Sequence, residues 1–246
     1  MEKEKVKGKS VVVSIISTVL FILALCFFAL VIACRIIYIE SPITGLSMAP
    51  TLNEDNNEKA FINKFKSYER GDVVIVNTHE KDENGEEVFI IKRVIALAGD
   101  RVDLRYNNNN EVVVYLNGQE LNEEYVEYKD VKSSFLPDEA TTIISFRAYV
   151  NGTSGVDYNE SGLLIKENEV FVMGDNRSVS LDSSKYGPFK TDDIIGRVDF
   201  VTKKEANGKF AAIKYLIYSL FKAQQKTGFT ILNVNSVLFL SKHKIP

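Results

Sequence analysis

An unbroken apolar run near the N-terminus constrains this chain more than any other feature. Residues 11–34 contain no charged side chain. A helix of about 24 residues rises about 36 Å, which is enough to cross a lipid bilayer with some tilt. The run therefore predicts a single membrane-spanning anchor, assigned to residues 11–37, between a short N-terminal segment of residues 1–10 and the body of the protein.

The charges beside this run predict its orientation. Four lysines precede it, Lys3, Lys5, Lys7 and Lys9, whereas Arg35 alone follows it closely. Because basic residues accumulate on the cytoplasmic side of membrane helices, residues 1–10 are expected in the cytoplasm and the body outside it.

A second interpretation of the same run is a cleaved lipoprotein signal. Residues 31–34, Val-Ile-Ala-Cys, resemble a lipoprotein signal box with Cys34 as the lipidated residue. The apolar region of a cleaved secretory signal is about 7–15 residues long, so the greater length here favours a retained anchor. Either interpretation leaves the body on the same membrane face.

The composition limits the chemistry that is open to the body. The formal net charge is -3, and no basic stretch is interleaved with aromatics, so nucleic-acid binding is not expected. The two cysteines, Cys26 and Cys34, both lie in the apolar run, which leaves no thiol or disulfide framework to the body. His79 and His243 are the only histidines, which disfavours a multi-histidine zinc site and a Ser-His pair.

The body is predicted to be mostly β. Short runs rich in Val and Ile recur between turn signals, at residues 73–76, 88–97, 112–116, 163–165, 170–173 and 194–201. Asn117-Gly118 predicts a tight hairpin turn, and no long amphipathic helix is predicted between the strands. Within an extracytoplasmic β-domain of residues 38–205, the stretch 106–160 is rich in Asn, Glu and Tyr and is predicted to be an inserted, variable subdomain.

The C-terminal tail, residues 206–246, is basic and contains apolar residues at helical spacing, namely Phe210, Ile213, Ile217 and Leu220. This pattern predicts an amphipathic helix that either lies on the membrane surface or docks against the core. Both alternatives stay open.

Lys92 is the most unusual residue of the body. It lies within the apolar run of residues 88–97, where a strand would place it on one face with Ile90, Val94 and Ala96 and would turn Arg93 to the other. Burial lowers the pKa of a lysine and makes its amine a usable general base. The alternative is that Lys92 extends its amine to solvent or pairs with a carboxylate.

Four segments, in this order, resemble the sequence boxes of type I signal peptidases of the Gram-positive type. They are GLSMAPTL at 45–52, RGDVVIV at 70–76, KRVIALAGD at 92–100 and GDNRSVSLDS at 174–183. The resemblance implies a signal-peptidase-like β catalytic domain with an inserted subdomain, behind one transmembrane helix. It also implies a membrane-bound serine endopeptidase that removes signal peptides from secreted preproteins after small residues of the Ala-X-Ala type. Signal peptides and the lipid bilayer would be its partners, and the reaction would require no metal and no cofactor.

The resemblance assigns roles to individual residues. Ser47 matches the nucleophile and Lys92 the general base of a Ser-Lys dyad. The supporting residues of the last box are Ser180, which positions the lysine in the family, together with Asp182, Asp175 and Arg177. Gly45 and the backbone N–H of Ser47 fall in the oxyanion region, and Met48 offers an apolar surface near the site.

Three departures from the family pattern matter. Ser184 stands where an arginine is common, so Asp182 needs another partner or is exposed. Gly45 stands where some members have serine, which makes the oxyanion hole depend more on the backbone. Residues 96–100 lack the usual proline.

Two other functions remain to be weighed. A self-cleaving Ser-Lys repressor would share the catalytic logic, but the membrane span and the lack of a DNA-reading helix argue against it. A catalytically inactive, membrane-tethered β-domain that binds peptides is disfavoured because Ser47 and Lys92 are retained.

Overall fold

The computed structural model describes residues 2–52, 58–127, 141–203 and 237–238. Of these, residues 2–39 belong to one compact unit, and the remaining described residues belong to a second. The first unit is dominated by a helix and the second by β-strands, in agreement with the mostly β class that the sequence predicts.

A single long helix forms the N-terminal unit. Helix α1 runs over Glu2–Ile37, and its part Val12–Ile37 is long and apolar enough to cross a membrane. Its apolar side chains are exposed along this part, as a lipid-facing helix requires.

The second unit contains two antiparallel sheets and two shorter helices. The elements that follow α1 in chain order are β1 Tyr38–Pro42, whose first two residues belong to the first unit, β2 Glu58–Asn63, β3 Val73–Lys81, β4 Glu87–Ala96, β5 Arg101–Tyr106, β6 Val112–Leu116, β7 Gln119–Glu120, α2 Thr141–Gly152, β8 Tyr158–Asn159, β9 Gly162–Leu164, β10 Glu169–Met173, α3 Ser183–Tyr186, β11 Phe189–Lys190, β12 Ile194–Lys203 and β13 Val237–Leu238.

The larger sheet has eight strands in the order β1-β2-β12-β3-β4-β10-β11, with β13 paired to β12. Strand β4 lies between β3 and β10, and Lys92 on β4 stands opposite Val74 on β3. The register between β4 and β10 shifts between Phe171 and Val172, so the pairing contains an irregularity close to Lys92.

The smaller sheet has five strands in the order β7-β6-β5-β9-β8. The predicted hairpin is present, because Asn117 and Gly118 both adopt positive φ between β6 and β7. The sequence predicts no long amphipathic helix between the strands, whereas the structure has the 12-residue helix α2 between β7 and β8. Helix α2 contributes the buried Ile143 and Phe146 to the core of this sheet.

All six predicted strand runs form strands, five of them within two residues at each end, whereas β3 continues five residues beyond its predicted run, to Lys81. Several strands lie outside the predicted runs. Among them are β2 and β5, whose sequences mix charged and apolar residues without a run of Val or Ile. The predicted amphipathic helix of the tail lies outside the described residues.

Two apolar clusters of the larger sheet position the site. One joins Met48 and Leu52 to Val73 and Ile75 of β3, and the other joins Val74 of β3 to residues of β4 and β10. The segment that carries Ser47 is thereby packed against β3, which pairs with the strand β4 that carries Lys92.

Candidate active site

Ser47 lies on a tight turn between β1 and β2. The Ala49 N–H donates to the Leu46 carbonyl oxygen at 3.1 Å, and the Leu52 N–H donates to the Met48 carbonyl oxygen at 2.9 Å. Gly45 begins the turn with φ 82°, a conformation that glycine adopts without strain. Because Met48 and Leu52 are anchored in the core, the turn holds the partly exposed Ser47 in a fixed place.

Lys92 reaches Ser47 from β4. Its Nζ lies 2.8 Å from Ser47 Oγ and 2.9 Å from the Ile91 carbonyl oxygen, to which it donates. The residue is only 3% exposed. The structure therefore brings together the two residues that the sequence predicts as the reacting pair.

Burial changes the acidity of this lysine. It lowers the pKa of Lys92 from 10.5 to about 8, while the carboxylates of Asp182 and Asp175 oppose the change by stabilising the ammonium. With an ordinary pKa, fewer than about one molecule in a thousand would hold the neutral amine at pH 7, whereas a pKa near 8 gives roughly one in ten. The arrangement can therefore take a proton from a serine hydroxyl near neutral pH.

The prediction that Ile90, Val94 and Ala96 share one face of β4 with Lys92 is correct only in part. Ile90 and Val94 pack in one apolar cluster, but Ala96 packs with Ile95 in another. The irregular pairing of β4 with β10 ends the regular alternation of side chains after Val94.

Arg93 is locked in the interior beside Lys92. Its Nε donates to Asp175 Oδ1 at 2.8 Å, its Nη2 to Asp175 Oδ2 at 2.5 Å and its Nη1 to the Gly71 carbonyl oxygen at 2.8 Å. Burial alone would lower the pKa of Arg93, but the hydrogen bonds and charge of Asp175 outweigh it and raise that pKa. Sequence reasoning included Asp175 but not its partner.

Asp182 has backbone partners in place of the missing arginine. It is 1% exposed, and its carboxylate accepts the Gly174 N–H at 2.9 Å and the Ser184 N–H at 3.0 Å. The second bond caps α3. The expectation that Asp182 has another partner is therefore correct, and the alternative that it is exposed is wrong.

Gly174 lies where the last sequence box meets Ser47. A Cβ at this position would come within 2.4 Å of the Ser47 carbonyl oxygen and 2.3 Å of Ser180 Oγ, so only glycine fits. The neighbouring Asn176 N–H donates to the same Ser47 carbonyl oxygen at 3.0 Å. The loop of residues 174–177 therefore supports the backbone of Ser47.

Ser180 lies on the other side of Gly174. Its Oγ is buried and has no hydrogen-bond partner within the described part of the chain. The positioning role of Ser180 toward Lys92 stays a prediction.

Arg177 connects this loop to the segment that follows β7. Its Nε donates to the Gly174 carbonyl oxygen at 3.0 Å, and its Nη2 donates to Glu123 Oε1 at 2.5 Å. Tyr125 covers Arg93, with the guanidinium carbon 4.1 Å from the ring centroid. Sequence reasoning missed Glu123 and Tyr125, because no pattern distinguishes them from the other Glu and Tyr residues nearby.

The apolar surface near the site differs from the expectation for Met48. Met48 is 1% exposed and belongs to the core, so it offers no surface. Leu46 on the same turn is exposed instead, as are Val179 and Leu181 on either side of Ser180. Among the described residues, no group of three or more His, Cys, Asp or Glu side chains is arranged to hold a metal ion.

Comparison with known proteins shows that the chain is a serine peptidase. The sequence matches the family described as signal peptidase, peptidase S26, over residues 14–203. This chain belongs to the signal peptidase family.

Two relatives and one solved structure illustrate the similarity. Signal peptidase I P of Bacillus subtilis subsp. natto is 33% identical over 208 residues, which cover 81% of this chain and 93% of that protein. Signal peptidase IB of Staphylococcus aureus Mu50 is 30% identical over 184 residues, which cover 72% of this chain and 84% of that protein. A crystal structure of a signal peptidase I from Enterococcus faecalis V583 matches 54% of this chain and 97% of its own, with 24% identity and a TM-score of 0.33.

Proposed function

We propose that this chain removes N-terminal signal peptides from secreted preproteins, with Ser47 as nucleophile and Lys92 as general base. The observation that carries the proposal is the 2.8 Å separation of Lys92 Nζ from Ser47 Oγ, with the lysine buried. An amine with a lowered pKa beside a serine hydroxyl provides what a histidine provides in a triad.

The proposed reaction has two stages. In the first, the neutral Lys92 amine takes the Ser47 proton while Oγ attacks the scissile carbonyl carbon, and the ammonium returns the proton to the leaving amine. The second stage hydrolyses the acyl-enzyme, with Lys92 taking a proton from the attacking water and returning it to Ser47.

The surrounding residues have supporting roles in this proposal. Asp182 and Asp175 moderate the pKa of Lys92, and Arg177 holds the loop beneath Ser47. The Ser47 N–H and the backbone at Gly45 would stabilise the negative charge that develops on the carbonyl oxygen.

Substrate binding would use the free side of β4. Among the described strands, β10 pairs with β4 only as far as Arg93, so residues 87–91 border no strand on that side. An extended peptide can pair with such an edge through its backbone. Exposed Leu46, Val179 and Leu181 would contact apolar parts of the peptide, and shallow pockets would select small residues such as Ala.

The membrane helix supports a location at the cell membrane. We place residues 1–10 in the cytoplasm because of the four lysines before the apolar run, and the catalytic domain on the outer face, where translocated preproteins emerge.

A cleavage assay with the detergent-solubilised full chain and a preprotein tests the proposal. Wild type should release the signal peptide, whereas folded Ser47→Ala should not. Ser67→Ala, at an exposed serine, is the matched control and should cleave as wild type does. A wild type that binds the preprotein without cutting it would support the inactive peptide-binding function instead.

Substrate selection is tested in the same assay. A preprotein with Ala at the first and third positions before the cut should be processed, and replacing the first of these with Phe should stop cleavage. Equal rates for both preproteins would refute selection of small residues.

A further inference from the structure

Two buried side chains from the segment that follows β7 contact both arginines of the active site. Glu123 Oε1 accepts the Arg177 Nη2 at 2.5 Å and the Tyr125 hydroxyl at 2.6 Å. The ring of Tyr125 lies against the guanidinium of Arg93. Neither Glu123 nor Tyr125 belongs to the four sequence boxes, and all four of these residues are buried or nearly so.

These contacts continue to Ser47. Arg177 donates to the Gly174 carbonyl oxygen, and the Asn176 N–H donates to the Ser47 carbonyl oxygen. The loop of residues 174–177 therefore lies between Glu123 and the backbone of Ser47. A buried guanidinium without its carboxylate would rearrange to find other partners, and the loop would move with it.

We propose that Glu123, held by Tyr125, is a positioning residue for the Ser47–Lys92 pair, an inference that rests on the function proposed above. Glu123 touches no reacting atom. It fixes Arg177, and through Arg177 it fixes the loop that supports Ser47.

The charges around the site predict a change in the pH dependence of the reaction, which a purely structural role of Glu123 would not cause. Asp182 and Glu123 face Arg177, Asp175 and Glu123 face Arg93, and Asp182 and Asp175 face Lys92. Three carboxylates thus stand against two guanidinium groups, and the excess negative charge favours the Lys92 ammonium. Glu123→Gln removes this excess, so the amine should form at lower pH.

The experiment compares variants of the detergent-solubilised full chain. For folded Glu123→Gln, verified by thermal melting, we expect kcat to fall at least about tenfold while KM stays within about twofold. The acidic limb of the kcat/KM profile should move to lower pH by about half a unit. Tyr125→Phe removes only the hydroxyl that holds Glu123 and no charge, so it should lower kcat by less and leave the acidic limb in place. Glu167→Gln, at an exposed carboxylate, is the matched control and should match wild type.

The result that overturns the inference is a folded Glu123→Gln with wild-type kcat, or one with reduced kcat and an unmoved acidic limb. If Glu123→Gln fails to fold, Tyr125→Phe decides, and a wild-type kcat for that variant overturns the inference. An inactive wild type or an active Ser47→Ala would instead refute the proposed function, so the two failures are distinguishable.

Discussion

The chemistry of Lys92 results from its burial away from water. A decrease in its pKa from 10.5 to about 8 corresponds to a cost of about 3 kcal/mol for holding the ammonium in the folded protein. The sequence predicts this residue well, because a lysine within an apolar run is unusual. The buried partners of Arg93 and Asp182 could not be predicted, since ion pairs and backbone acceptors depend on segments far apart in the sequence.

Replacing Lys92 with methionine should reveal that cost as a pH-dependent difference in stability. Because the folded pKa is lowered, the cost is fully present below about pH 8 and disappears as the pH rises past 10.5. Melting temperatures of Lys92→Met and wild type should therefore differ in favour of the variant at pH 7, and this advantage should shrink by pH 10. A difference that stays constant over this range would show that residue 92 does not titrate as described.

Removing the guanidinium of Arg93 should strongly destabilise the folded protein. Arg93→Ala leaves the fully buried Asp175 without its partner, which costs about 3–5 kcal/mol. Arg101→Ala is the matched control, because its ion pair with Asp157 is partly exposed and should contribute at most about 1 kcal/mol. Thermal melting measures both, and equal effects would contradict the role assigned to burial.

At the scale of elements, strand runs were predictable and connections were not. Strands β3, β4 and β6 follow from their Val and Ile content, and the β6–β7 turn follows from Asn-Gly. Helix α2 was missed because its apolar residues lie in a stretch that looked irregular. The loop before α3 was recognised only as a motif, and its tight contact with the Ser47 turn required coordinates.

The tight contact of Gly174 with the Ser47 turn predicts that adding one methyl group at residue 174 disturbs the site. Gly174→Ala would place a Cβ too close to the Ser47 carbonyl oxygen and to Ser180 Oγ, so the loop must move and the Ser47–Lys92 geometry with it. We expect a loss of kcat of at least about a hundredfold, since small displacements of reacting groups cost about that much. Gly152→Ala, where a Cβ meets open space, is the control and should retain full activity. A fully active Gly174→Ala would contradict the packing.

At the scale of the whole molecule, the apolar helix and the β-domain follow from the sequence without coordinates. Length and lack of charge predict α1, and the flanking lysines predict its orientation. Domain boundaries, in contrast, depend on which strands pair. The smaller sheet takes strands from residues 101–120 and 158–164, a combination that no local pattern indicates.

The orientation makes a direct prediction. Protease added outside intact spheroplasts should digest the body of the chain, because only about the first ten residues are expected in the cytoplasm. Permeabilised spheroplasts serve as the control for accessibility. Full protection of the body in intact spheroplasts would contradict the proposed topology.

The pH dependence of kcat/KM for preprotein cleavage tests the central claim most directly, because it reports the base of the free enzyme. For wild type we predict an acidic limb with an apparent pKa of about 8, the value at which the Lys92 amine becomes available. Folded Lys92→Ala and Lys92→Arg should be inactive throughout, since a guanidinium keeps its proton at these pH values, and Lys81→Ala at an exposed lysine should reproduce the wild-type profile. Cleavage by folded Lys92→Ala at the wild-type rate, with the same limb, would contradict the assignment of Lys92 as the general base.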